Sequence, residues 1–259
     1  MQIVFALVAL VVGFVLLVKG ADWFVEGSAG IANKFGIPQI VIGLTIVAMA
    51  EAAVSISAAL RGSAEITIGN VVGSNIMNIL VILGLTAVVC QIAVQKTTIH
   101  YEIPMVIGVT ILLAVMGLQN NIISRAEGVI LLACMVVYML YLLRLAKRGV
   151  VENEEMDAYA KQVSFGRLIL LVVVGVAAII FGSHVAVEAA SAIARIFGIS
   201  ERFIGLTIVA FGTSLPELVT SVAAARRGNS DIAVGNIVGS NLFNIMFVVG
   251  ITAVIVPVV

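Results

Sequence analysis

The sequence predicts an all-α polytopic membrane protein of inverted repeats, and three observations carry that prediction. Hydrophobic residues make up 62% of the 259 and charged residues only 11%, where a soluble domain carries about 25% charge. Apolar runs long enough to cross, or nearly cross, about 30 Å of hydrocarbon recur along the whole chain. Two stretches of the chain also copy one another at a near-constant offset. The formal net charge of zero leaves no basic face for nucleic acid.

The apolar runs define eight expected spans, at roughly 3–33, 38–60, 65–92, 103–118, 126–146, 167–197, 199–225 and 231–256. The first lacks a basic leader and continues into an amphipathic stretch, so it reads as a span and not as a cleaved signal. The fourth is short and begins at Pro104, where a helix start is expected. Between the fifth and sixth lies a hydrophilic stretch, Lys147 to Gly166, with Glu152, Glu154, Glu155, Asp157 and Lys161. It lacks the spacing of a calcium-binding loop and reads as a cytoplasmic linker. The expected organisation is therefore a first repeat of five spans over 1–146, a linker over 147–166, and a second repeat of three spans over 167–259. Cys90 and Cys134 stand singly in apolar runs, without metal-ligand spacing.

The copies are specific. Phe35–Met49 (FGIPQIVIGLTIVAM) and Phe197–Phe211 (FGISERFIGLTIVAF) match at 10 of 15 positions with an offset of 162. Glu51–Val88 and Glu217–Val254 match at 19 of 38 with an offset of 166. Similarity of that length exceeds shared hydrophobicity and marks an internal repeat. Five spans separate one copy from the next, and an odd number inverts the second. With the N-terminus outside, nine basic residues fall at cytoplasmic ends (Lys34, Lys96, Arg144, Lys147, Arg148, Lys161, Arg167, Arg226 and Arg227). Four fall at outer ends (Arg61, Arg125, Arg195 and Arg202), with Lys19 inside the first span. The positive-inside rule favours that orientation in a plasma (inner) membrane.

The seventh run is interrupted by Gly212-Thr213-Ser214-Leu215-Pro216-Glu217. Gly and Pro weaken the helix there and are expected to free carbonyls around Ala210 to Gly212. Free carbonyls in mid-membrane are tolerated only against protein, ions or a water-filled cavity. An intramembrane carboxylate costs roughly 2.5–3.5 kcal/mol on insertion scales, which makes Glu217 a functional candidate. In the eighth run Ser240 and Asn244 share a face, and Gly235 and Gly239 allow a neighbouring helix to come close. Hydroxyl, amide, carbonyl and carboxylate oxygens of this kind replace the hydration water of Ca²⁺ or Na⁺. The plainer reading is a packing face with Ser and Asn as interhelical glue. Inverted repeats with a broken helix point to a secondary transporter whose site lies near the bilayer midplane. The sequence shows no nucleotide loop or catalytic triad, so an enzyme is not expected.

GLTIVAFGTSLPELVTS followed by GNIVGSNLFNI, with a weaker copy upstream, resembles the repeats of the calcium/cation antiporter superfamily, in particular its prokaryotic sodium/calcium exchanger-like members. The resemblance implies a ten-span architecture, of which about eight spans are present here. It implies exchange of Ca²⁺ for Na⁺ or H⁺ by alternating access, with the ions as substrates and no cofactor. The ligands it implies are Thr213, Ser214, Glu217, Ser240 and Asn244 in the second repeat, and Glu51, Ser74 and Asn78 in the first. Some members carry Asp where Asn244 stands, so Glu51 and Glu217 are left as the main acidic pair.

Two departures stand out. The offset rises from 162 to 166, so the first repeat lacks four residues after Met49, and with them its Gly-Thr-Ser break. Such a deletion shortens a helix by about 6 Å and turns its remainder by roughly 40°, which alters the aim of Glu51. The chain also ends after the eighth span. That predicts a bare flank on the second repeat, covered by a partner copy in a homo-oligomer, or else a truncated, non-transporting membrane component. Glu26 and Glu188 on the first helix of each half read as interfacial or as lining an ion path. His184 reads as hydrogen-bonded or proton-sensing. Asp231 and Glu65 read as helix-start residues.

Overall fold

A computed structural model describes residues 2–35, 64–120, 122–147, 163–204, 207–208 and 210–258. The expected second span, Glu51, the shortened segment after Met49 and most of the linker lie outside the described residues. The rest is helical: α1 (Gln2–Phe35), α2 (Ala64–Met77), α3 (Leu83–Val89), α4 (Ile103–Asn120), α5 (Arg125–Lys147) and α6 (Phe165–Ile196) come first. They are followed by α7 (Glu201–Ile204), α8 (Ala210–Thr213), α9 (Leu215–Arg226), α10 (Ser230–Phe243) and α11 (Gly250–Ile255). Three π-helical turns, Asn78–Ile82, Thr98–Glu102 and Asn244–Val249, join or extend these helices.

Six of the described helices are long and apolar enough to cross a membrane: 2–35, 68–89, 98–119, 125–145, 165–196 and 230–255. Their outward faces carry large apolar side chains, among them Phe5, Val88 and Leu118, each at least 78% exposed. Burying that surface in hydrocarbon is what makes this an integral membrane protein. The expected number of eight spans is thus not reached among the described residues. The seventh segment is described only in part, as α7, α8 and α9, each too short alone to count as a span. The fourth span begins earlier than Pro104, at Thr98. Its first turn is π-helical, a widening that accommodates a proline without a backbone N–H.

Inversion is visible in the packing of α1 on α6. A β carbon added at Gly13 would meet Ala186 N and Gly182 O at 2.7 and 2.9 Å, and one at Gly20 would meet Gly175 O at 2.9 Å. At Gly27 it would meet Leu168 O at 2.7 Å. Ascending positions on one helix thus face descending positions on the other, so the two helices run antiparallel. The contact is self-similar, because Gly175 meets Phe24 and Gly20 just as Gly13 meets Ala186 and Gly182, at the offset of 162. Backbones this close require glycine on both sides.

The second pair obeys its own offset. Adding 166 to α2 (64–77) gives 230–243, the limits of α10, and adding it to Asn78 gives Asn244, where the later π turn starts. Even the helix ends correspond: Cys90 N donates to Thr86 O and Val256 N to Thr252 O, and both capping residues are extended.

The helix of residues 230–255 is the centre of the molecule. Its most apolar window is 83% buried, against 22–33% for the other five spans. It packs against α9 on one side and against α5 on the other. Gly128 of α5 would collide with Gly250 O at 2.8 Å if it carried a side chain. Paired hydrogen bonds between Ile123 and Val258 pin the end of the chain to the α4–α5 connection. Basic-rich ends gather on one side: Lys34 Nζ donates to Val163 O at 3.0 Å, and Gln95 Nε2 to Asp231 Oδ2 at 2.5 Å. Arg227 lies 3.3 Å from Asp22 and 3.6 Å from Glu26.

Candidate cation site

The break in the seventh segment falls at Ser214, whose backbone (φ −98°, ψ 3°) leaves the helical path. Pro216 then occupies the second position of α9, where a missing N–H costs nothing. Ser214 and Glu217 have the spacing of a capping box, yet Ser214 makes no side-chain cap bond. Its Oγ is buried without a hydrogen-bond partner among the described residues. Glu217 lies in the first turn of α9, where the helix dipole favours a carboxylate.

Gly212 has a different role from the one expected of it. A β carbon there would lie 2.1 Å from Val187 Cγ2, so glycine is needed for α8 to approach α6. Its carbonyl is not free either, since Ser183 Oγ donates to it at 3.0 Å.

Six of the expected ligands, Ser74, Asn78, Ser214, Glu217, Ser240 and Asn244, are all 4% exposed or less. They stand on α2 and its π turn, on α9 with its leading residue, and on α10 with its π turn, which pack on one another. The oxygens Ser214 Oγ, Ser240 Oγ and Asn78 Oδ1 are buried and accept or donate no hydrogen bond among the described residues. The three oxygens belong to elements that pack on one another, among buried positions where polar atoms are ordinarily satisfied. Thr213, the last residue of α8, is exposed. Glu51 lies outside the described residues. Glu188 and His184 are exposed on α6, and Glu26 is engaged by Arg227.

Several polar partners had no place in the expected ligand set. Asn236 Nδ2 donates to Glu217 O at 3.1 Å and to Ser221 Oγ at 2.9 Å, which clamps α9 to α10 behind the carboxylate. Asn78 Nδ2 donates to Asn241 Oδ1 at 2.9 Å, and Asn244 Nδ2 to Asn75 Oδ1 at 3.2 Å. The visible signal for the last two is the Gly-Ser-Asn triplet, present at both 73–75 and 239–241. Among the described residues no three His, Cys, Asp or Glu side chains lie together in a metal-holding group. A cation here would be met by one described carboxylate with hydroxyl and amide oxygens, a hard-ligand set.

The family described as "Sodium/calcium exchanger protein" matches residues 5–144 and 167–259. The chain is 37% identical over 260 residues to inner membrane protein YrbG of Escherichia coli (strain K12), covering 96% of this chain and 79% of that one. It is 31% identical to the sodium/calcium exchanger MaX1 of Methanosarcina acetivorans over 96% of this chain and 82% of its relative. Among solved structures, the sodium-calcium exchanger NCX_Mj soaked with Na⁺ and Sr²⁺ superposes with a TM-score of 0.83 at 32% identity. That superposition covers 99% of this chain and 84% of NCX_Mj.

Proposed function

The chain belongs to the sodium/calcium exchanger family, and we propose that it is a secondary antiporter that moves Ca²⁺ against a flow of Na⁺ by alternating access. The observation that carries this reading is the burial of Ser214 Oγ, Ser240 Oγ and Asn78 Oδ1 beside the Glu217 helix, in the most enclosed part of an otherwise lipid-facing bundle. A dehydrated cation offsets the cost of burying Glu217 as an anion, and the carboxylate and neutral oxygens offset the cost of dehydrating the cation. Occupancy by either ion in turn is what an exchanger needs, since a carboxylate is costly to hold as an anion in the membrane interior.

The proposed ligands are Ser74, Asn78, Ser214, Glu217, Ser240 and Asn244, joined by Glu51 from the segment outside the described residues. Thr213 is proposed as a further ligand. Glu51 and Glu217 together balance one Ca²⁺, and their mutual repulsion when the site is empty favours Na⁺ or H⁺ as counter-ion. The proposed topology is five spans over 1–146, the linker 147–166 in the cytoplasm, and a second, inverted repeat over 167–259, with the N-terminus outside the plasma membrane. The basic-rich ends gathered around Lys34, Arg227 and Gln95 then face the cytoplasm.

The test is Na⁺-gradient-driven ⁴⁵Ca²⁺ flux in proteoliposomes, comparing the unaltered chain with Glu217→Gln. The expected outcome is gradient-dependent uptake that falls to the background of empty vesicles in the variant. Equal flux in the two would remove Glu217, and with it this site, from the mechanism.

A further inference from the structure

A side-chain amide can present either an oxygen or an NH₂ group to a site, and only the oxygen binds a cation. Which end faces inward is decided by the partner that takes the NH₂. Two such partners are present. Asn241 Oδ1 accepts from Asn78 Nδ2 at 2.9 Å, and Asn75 Oδ1 accepts from Asn244 Nδ2 at 3.2 Å. The two bonds are copies of one another: adding 166 to Asn75 and Asn78 gives Asn241 and Asn244. Each repeat therefore orients the amide of the other. Asn75 is itself anchored, because its Nδ2 donates to Asn241 O at 3.2 Å. With Nδ2 of Asn78 engaged, its Oδ1 is left buried and without a partner among the described residues. Asn78, Asn241 and Asn244 are at most 2% exposed, so bulk water does not compete for these groups.

We propose that Asn75 and Asn241 are positioning residues of the cation site, which hold the amide oxygens of Asn244 and Asn78 toward the ion by accepting their NH₂ groups. The proposal rests on the exchange reading above and deepens it: neither residue belongs to the ligand set. It also accounts for an amide at position 244 in place of a carboxylate. A carboxylate offers an oxygen whichever way it turns, whereas an amide serves only when its orientation is imposed. The crossed pairing has a second consequence. The helix of residues 64–89 and the helix of residues 230–255 cannot separate without releasing both ligand amides together, so site geometry is tied to contact between the two repeats.

The distinguishing experiment is a double-mutant cycle read by equilibrium ⁴⁵Ca²⁺ binding to the purified chain in detergent, with Na⁺ competition. Asn75→Ala is made in the unaltered chain and in the Asn244→Asp background. Loss of one buried orienting hydrogen bond is expected to weaken Ca²⁺ binding about five- to tenfold in the first case. In the Asn244→Asp background the same change is expected to alter binding by less than about twofold, since a carboxylate needs no orienting partner. A purely structural role for Asn75 would weaken binding equally in both backgrounds, and that result overturns the proposal. So does unchanged binding in Asn75→Ala alone. The mirror cycle, Asn241→Ala with and without Asn78→Asp, carries the same expectations and decides the matter if Asn75→Ala is not monodisperse on size exclusion. Absence of Na⁺-competed binding in the unaltered chain is a different failure: it removes the exchange reading itself.

Discussion

Glu217 sits in a shell of small polar residues, and the shell is as informative as the carboxylate. Asn236 is fully buried and donates to both Glu217 O and Ser221 Oγ. Its NH₂ group thereby holds the start of α9 against α10. Asn236→Leu fills similar volume but removes two buried hydrogen bonds between α9 and α10, at a cost of about 0.5–1.5 kcal/mol each. The expected outcome is a lower midpoint of thermal unfolding in detergent, together with reduced Na⁺-driven Ca²⁺ flux. A variant with unaltered melting would show that the clamp contributes nothing to the α9–α10 contact. At this scale the presence of polar residues inside the bundle was legible in the sequence, because a carboxylate and hydroxyls inside an apolar run stand out. Their partners were not: Asn75, Ser183 and Ser221 act across helix pairs whose facing sides no single run specifies.

Among elements, the closest contact joins α1 to α6, and it is built from glycine. Gly13, Gly20 and Gly27 recur every seven residues on one face, and Gly175 and Gly182 answer them. The spacing was present in the sequence, but glycines in an apolar span serve equally as packing faces and as random insertions until the partner helix is known. A methyl group at Gly20 would lie 2.9 Å from Gly175 O and Ile179 N, atoms of a backbone that cannot turn aside. Gly20→Ala is therefore expected to destabilise the protein by about 1–3 kcal/mol. Gly84→Ala and Gly108→Ala place the same methyl where nothing lies within 4 Å, and helix propensity there favours alanine by up to about 1 kcal/mol. Thermal unfolding of the three variants checks the contrast, and equal midpoints would mean that α1 and α6 are not in backbone contact. The α-helical part of the fourth span starts at Ile103, where its apolar run does, and the π-helical turn Thr98–Glu102 extends it backwards.

Over the whole molecule, the repeat dictates the architecture. The copied stretches GNVVGSNIMN and GNIVGSNLFN predicted matching helices, and the limits of α2 and α10 differ by the same 166 residues as the sequences. The inverted relation, inferred from counting spans and basic residues, is seen directly in the antiparallel α1–α6 crossing and in the crossed asparagine bonds. The number of spans was less legible, because one expected helix is broken at Ser214 and another lies outside the described residues. The central claim is that one cation site is shared by the two inverted repeats. Its most direct test is equilibrium ⁴⁵Ca²⁺ binding, with Na⁺ as competitor, to Asn78→Leu in the first repeat and to Ser240→Leu in the second. A single class of Na⁺-displaced binding is expected in the unaltered chain, lost alike in both variants. Ca²⁺ binding that keeps its full affinity when either repeat alone is altered would contradict it.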